Sequence, residues 1–500
     1  MLDLCRVDSA KSSERAFQGF SMSFQSVSTR CLGFLLSSVY CLAVAVAHAD
    51  EAALPESVVS VLKAHNMSMN GISVFVQDTA KNTPLLSVND DVARNPASTI
   101  KLLTTFLALE ELKPNYQWKS EVYLGGPLHD GVLSGDLYIK GYGDPYMVIE
   151  RYWLFLNQLR QKGLRRIDGD LVIDNTWFDV PVGNVGAFDG QPRRSYNVVP
   201  DAFLVNLQTV SFMFNPSPLG SGIDIVAEPR PANLEITNRV KLSNAGCGGY
   251  QRGIAIAFPA PQRIVFTGDF SRRCGRYRLS RSVLDAPSFA YGVFRSLWEQ
   301  SGSVLSGDLR VEPVPETLQP YHVVDSLALG DVVRLVNKWS NNVMARHLLL
   351  TMGIERYGPP ATVEAGRRAA VDVLRDKGLD FPELRIDNGA GLSRVTRISA
   401  RSLGTLLLSA DESDFRAEFV SSLPLSGMDG TMRRRFREAE LAGRMHIKTG
   451  RLDDVFAMAG FVRSRSGREY VVVAIQNDAD AHRGPGEEAQ SALLRWVYYQ

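Results

Sequence analysis

The hydrophobic pattern changes texture twice along the chain. Residues 55–64 repeat apolar side chains at helical spacing, whereas residues 71–77 alternate in strand fashion and 84–88 read as their hairpin partner. Asn95-Pro96-Ala97-Ser98-Thr99 then opens a strong helix over 100–112, rich in Leu and Ala. From about residue 118 to 289, strand-like runs recur between Gly, Pro and Asp turns, at 120–124, 135–140, 168–174, 222–227, 253–258 and 263–267. One helix near 147–162 interrupts them, so this stretch reads as a mostly β insertion in more than one piece. Helical texture returns at 291–301, 327–339, 342–352, 361–377 and 399–410. Strands follow at 441–449, 457–462 and 470–476, the last two joined at Arg465-Ser466-Gly467, and a closing helix spans 487–499. Its stripe of Leu493, Leu494, Trp496 and Val497 could lie on a membrane. Core packing against the neighbouring sheet is the preferred reading, because the charged face is short and not basic.

The first fifty residues form their own unit. Arg30 precedes an apolar run over 31–47, and Ala47-His48-Ala49 has the small-x-small form of a cleavage site. The run is short for a spanning helix and is interrupted by Gly33. Residues 1–49 therefore read as a cleavable signal peptide, with an uncleaved anchor as the alternative, and the protein is expected in the periplasm. The polar segment before Arg30 is long for such a signal, which leaves Met22 as a second candidate start.

Five hundred residues exceed one ordinary core, so two or three domains are expected. Lys plus Arg number 55 against 54 Asp plus Glu. No excess cation is available to replace phosphate counterions, which argues against nucleic acid as a partner. Cys5, Cys31 and Cys41 leave with the signal, and Cys247 and Cys274 remain as an even pair in an oxidising compartment. A disulfide between them is the preferred reading, and two free buried thiols the alternative. His65, His129, His322, His347, His446 and His482 are scattered without metal-ligand spacing, so no metal is expected.

Three short motifs carry candidate chemistry. Ser98-Thr99-Ile100-Lys101 is a Ser-x-x-Lys at a helix start, which places an amine one turn from a hydroxyl. A serine is a weak nucleophile until a base takes its proton, and a lysine can be that base only when burial and neighbours lower its pKa. Roughly one or two such matches are expected by chance in a chain this long. Ser60-Val61-Leu62-Lys63 is a decoy of this kind, set inside the first helix. Ser340-Asn341-Asn342, a Ser-x-Asn between two helices, reads by itself as a helix cap. Lys448-Thr449-Gly450 ends a strand-like run, where Lys and Thr can bind a carboxylate and Gly450 lets a substrate backbone approach; an isolated match is equally a hairpin turn with a surface lysine. The three in this order are far more specific than any one alone, and they are the signature set of penicillin-recognising serine enzymes.

With these motifs the chain resembles the class C low-molecular-mass penicillin-binding proteins, the D-alanyl-D-alanine carboxypeptidase/endopeptidase family of serine peptidases (family S13). Further support comes from the stretches Gly135 to Pro145, Asp387 to Arg394 and Gly427 to Thr431, and from the gap of 242 residues between Ser98 and Ser340. The resemblance implies an α/β penicillin-binding/β-lactamase-like catalytic domain, over 50–116 and 290–500, with an antiparallel sheet flanked by helices. It is split by a β-rich insertion over 117–289 that holds a nested second insertion. The middle Asn341 stands where Asp is usual, and Ala390 where Ser is frequent. The resemblance also implies roles: Ser98 as nucleophile, Lys101 as its base, and Ser340 with Lys448 as a proton relay. Asn342, Thr449, Gly450 and the Arg451 N–H would bind substrate, and Asp189 would hold the free amine of the peptide side chain or be a solvated loop carboxylate. No cofactor is implied. Peptidoglycan peptides are the expected substrates and β-lactams the expected covalent inhibitors, with at most peripheral membrane association. A serine β-lactamase and a non-catalytic wall-binding scaffold are the competing functions.

Overall fold

The computed structural model describes residues 53–217, 222–248 and 253–500. The segment 1–49, expected from its sequence to be a signal peptide, lies outside the described residues. Among the described residues, no helix is long and apolar enough to cross a membrane.

A five-stranded antiparallel sheet organises one half of the molecule. Its strand order is Met445–Leu452, Val455–Arg463, Glu469–Asn477, Ile72–Asp78, Leu86–Val88. Successive side chains on a strand point to opposite faces, and here both faces are covered. Val471, Val473 and Ile475 join Phe75 and Phe461 against helices Lys101–Leu112, Leu329–Trp339, Asn342–Tyr357 and Ala400–Asp411. Val472 and Ala474 point the other way, joining Val74, Val76 and Met458 against helices Glu56–Ala64 and Pro485–Tyr498. The stripe on the closing helix is packed into this layer: Leu493, Leu494 and Val497 are fully buried and Trp496 packs partly against them.

The other half has its own core. A second five-stranded sheet runs Leu309–Val311, Leu171–Asp174, Leu137–Gly141, Lys119–Leu124, Pro320–Asp325. Two three-stranded sheets lie further along the chain, and the Cys247–Cys274 disulfide joins segments whose Cα atoms are 5.0 Å apart. Helix Ala286–Gln300 buries Phe289, Phe294 and Trp298 in this second core. Strands up to Asp325 still pair with the second sheet, so the chain rejoins the first core later than the return of helical pattern at residue 290 indicates. Periodicity reports that a helix forms, not which layer covers it. Strands Glu235–Ser243 and Tyr277–Arg281 escaped the sequence reading because both carry charged residues and neither shows a clean alternation of buried and exposed positions.

Candidate active site

Ser98 lies in a 3-10 turn, Ala97–Ile100, that feeds directly into helix Lys101–Leu112. In a 3-10 turn, side chains at i and i+3 eclipse, so the turn aligns Ser98 with Lys101 more closely than an α-helical start would. Ala97 takes the left-handed φ of 45°, and its N–H is held by Asn95 Oδ1 at 2.9 Å. A non-glycine residue there stores strain that the surrounding bonds must hold.

Lys101 is fully buried, and its Nζ lies 3.1 Å from Ser98 Oγ and 2.7 Å from Asn342 Oδ1. It also donates to the Ala390 carbonyl. That carbonyl is aimed by Asn388, whose Oδ1 accepts from the N–H groups of Ala390 and Gly391. Burial first, then the charges of Lys448 and Arg346, hold the Lys101 amine well below the ordinary lysine range. A neutral amine has two N–H groups and one lone pair. Asn342 Oδ1 and Ala390 O can accept only, so they take both N–H groups and leave the lone pair for the Ser98 hydroxyl.

Ser340 follows helix Leu329–Trp339 as its C-terminal cap, in the left-handed region at φ 57° and ψ 39°. Asn341 caps the next helix, its side chain accepting from Met344 N–H, and Asn342 is the first helical residue. The three-residue motif thus contains a helix cap, as its sequence reads, and also brings two side chains into the cleft. Lys448 Nζ, also fully buried, donates to Ser340 Oγ at 2.8 Å and to Thr449 O at 2.8 Å. Burial pushes this amine down to about 7. Thr449 Oγ1 lies 3.0 Å from Thr431 Oγ1. The decoy pair Ser60 and Lys63 is exposed to solvent on helix Glu56–Ala64.

Gly450 runs beside the nucleophile turn, where a Cβ would sit 2.7 Å from Pro96 O and 2.9 Å from Ser98 N. Arg451, the next residue, is exposed. Asp189 accepts from Tyr196 Oη at 2.7 Å, Asn197 Nδ2 at 2.9 Å and Gln191 N–H at 2.9 Å. Burial works against its charge, but these bonds hold the carboxyl below its usual range. Its loop touches the cleft through Tyr196 O, which accepts from Asn342 Nδ2 at 3.2 Å.

Several site groups lie beyond motif reading. Ala390 contributes only a backbone carbonyl, and Lys338, two residues before Ser340, pairs with Asp429 at 2.7 Å. The loop 427–431 that carries Asp429 also delivers Thr431. Both belong to stretches that carried the family resemblance, and that was their only signal. Among the described residues, Asp454, Asp480 and His482 bring ligand-type atoms within 4.8 Å of one another. His482 Nδ1 already accepts from the Asp454 N–H at 2.9 Å, and both carboxylates are exposed.

The family described as "D-Ala-D-Ala carboxypeptidase 3 (S13) family" matches residues 54–497. A D-alanyl-D-alanine carboxypeptidase from Actinomadura sp. (strain R39) is 28% identical over 430 residues, covering 82% of this chain and 78% of the relative. The crystal structure of penicillin binding protein 4 (dacB) from Haemophilus influenzae aligns with a TM-score of 0.75 at 21% identity, over 89% of this chain and 99% of that one. The same protein complexed with a β-lactam aligns at 0.70 and 21% identity, over 89% and 100%. These structures share the mixed α/β fold.

Proposed function

The chain belongs to the D-Ala-D-Ala carboxypeptidase 3 (S13) family, and from that premise we propose that it cleaves D-alanyl-D-alanine-type bonds of peptidoglycan stem peptides through an acyl-enzyme on Ser98. The observation that carries the assignment is the buried Lys101 amine, 3.1 Å from Ser98 Oγ and with both its N–H groups engaged elsewhere.

Lys101 takes the Ser98 proton as Oγ attacks the carbonyl of the penultimate D-alanine. The N–H groups of Ser98 and Arg451 receive the developing oxyanion. Gly450 leaves that space open. Ser340, bonded to Lys448, passes a proton to the leaving amine, so the C–N bond breaks as the acyl ester forms. Asn342 holds the substrate amide, and Lys448 with Thr449 binds the terminal carboxylate. Water then hydrolyses the ester and Ser98 regains its proton. A β-lactam presents the same carbonyl and carboxylate to these groups, which supports covalent inhibition at Ser98.

Asp189 suits the free amine of the peptide side chain. Two carboxylate oxygens offer about four acceptor sites, and its three protein bonds leave one for a cationic ligand. We read residues 50–116 and those after Asp325 as the catalytic domain; helix Ala286–Gln300 and the strands up to Asp325 pack on the inserted side, so the insertion expected over 117–289 extends to about residue 325. Export to the periplasm agrees with the disulfide and with a cell-wall substrate.

Replacing Ser98 by Ala should abolish labelling by fluorescent penicillin while the thermal melt stays near that of the parent. Labelling that persists places the nucleophile elsewhere. Digesting purified wall fragments and weighing the products separates loss of a terminal D-alanine from opening of cross-links.

A further inference from the structure

Asn342 and Arg346 lie four residues apart on helix Asn342–Tyr357, a spacing that stacks side chains on one face. Asn342 accepts from Lys101 Nζ at 2.7 Å, so Arg346 stands one helical turn from the group that anchors the base. Arg346 is tied to the inserted loop: its Nη1 donates to Val198 O at 3.0 Å. That loop also carries Tyr196, whose carbonyl accepts from Asn342 Nδ2. The Nε of Arg346 is enclosed and has no hydrogen-bond partner.

Among the described residues, no carboxylate forms a salt bridge with this guanidinium. Asp387, the acid whose field reaches it, is bonded by Arg367, which donates to Asp387 Oδ1 at 2.8 Å and to its carbonyl at 2.6 Å. Arg346 also lines a cavity of about 130 Å³ walled by Val180, Val199, Leu349 and Leu350. A guanidinium stays protonated throughout the working pH range. Arg346 is therefore a fixed positive charge, partly buried one turn from Asn342, with its Nε enclosed and no salt bridge to a carboxylate among the described residues.

We propose that Arg346 is a positioning residue for acylation: its charge, bound in no salt bridge and fixed one turn from Asn342, keeps the Lys101 amine free of its proton so that it can accept the one from Ser98. The inference rests on the reading of Lys101 as the base. Like charges disfavour each other in an enclosed site, so each cation near Lys101 favours the neutral amine. The charged groups around Lys101 come from several elements. Lys448 arrives from strand Met445–Leu452 and Arg346 from its helix, and both lower the amine. His347 is neutral, its Nδ1 donating to Gly143 O at 3.0 Å. Asp387 is held by Arg367, and Asp189 by Tyr196 and Asn197.

Two substitutions separate charge from tether. Arg346→Gln keeps a donor for Val198 O and removes the charge, whereas Arg346→Lys keeps the charge and changes the tether. The acylation rate by a fluorescent penicillin is followed from pH 5 to 10 in the intact protein. Its acid limb should move up by about one pH unit in Arg346→Gln and stay in place in Arg346→Lys. The melting temperature of each variant is taken alongside, since a misfolded variant loses amplitude at all pH values without moving the limb. Burial alone lowers Lys448, so a limb that moves with Arg346 reports Lys101. An unmoved limb in a folded Arg346→Gln protein, or equal movement in both variants, overturns the proposal. Lys101→Met tests the underlying reading separately: acylation that survives it removes Lys101 as the base, whatever Arg346 does.

Discussion

Gly450 passes Ser98 so closely that a side-chain carbon on it would lie 2.9 Å from the Ser98 backbone nitrogen. Real side-chain carbons do not approach a backbone atom that closely, and the atom crowded is the N–H proposed to hold the oxyanion. Gly450→Ala should therefore cut acylation by about 100-fold or more, the scale seen on losing one oxyanion donor. The measurement is the rate of penicillin labelling, with circular dichroism to show that the sheet survives. A variant labelled at the parental rate would mean that the strand and the nucleophile turn can separate freely.

Two fully buried lysines make folding stability depend on pH. Lys448 titrates near 7 when folded and near the ordinary lysine value when unfolded, and Lys101 shifts in the same direction. Between those values the unfolded chain binds more protons than the folded one, so stability rises with pH. The cost of burying the charged form is fully present below about pH 7. Melting temperature at fixed ionic strength should rise from pH 7 to pH 9, and the rise should flatten in Lys448→Met.

The Lys338–Asp429 pair joins the helix before Ser340 to the loop that delivers Thr431. Lys338 is nearly buried, and Asp429 is partly open to solvent. Burial raises the Asp429 carboxyl, but its bonds with Lys338 and the Leu425 N–H, together with the charges of Lys338 and Arg334, outweigh this and leave it below the usual range. Asp429→Ala leaves a buried ammonium with Leu423 O as its remaining acceptor. Urea unfolding should show a loss of about 2 kcal/mol, and penicillin labelling should slow as Ser340 and Thr449 lose their support.

The disulfide closes a separation of 27 residues inside the β-rich half. On the chain-entropy argument, its removal costs about 3 kcal/mol. Cys247→Ser with Cys274→Ser should lower the melting temperature without abolishing labelling, because neither cysteine touches the cleft. Complete loss of labelling in a folded double variant would tie the two halves together more tightly than the separate cores indicate.

The helices and strands around the main sheet were legible because their burial follows a simple period. The 469–477 strand alternates its valines between two packed layers, and the closing helix buries the stripe its sequence displays. In the β-rich half, strands without a clean alternation were not legible, although the exposed ones at 222–227 and 253–258 were. Glu235–Ser243 has one buried residue in nine, and its partners, not its pattern, make it a strand.

The candidate site divides along the same line. Ser98, Lys101, Ser340, Asn342 and Lys448 were visible as residue types at recognisable spacings and in a recognisable order. The lowered affinity of Lys101 for its proton, on which its proposed role as base rests, is a property of enclosure: only the folded structure brings Ala390 O, Asn342 Oδ1 and two neighbouring cationic side chains around one amine. By itself the sequence determined which residues are candidates for the chemistry, because local spacing sets what a turn or strand can present. Tertiary structure decided their protonation and alignment, because desolvation and the field of distant charges exist only once remote segments are packed together.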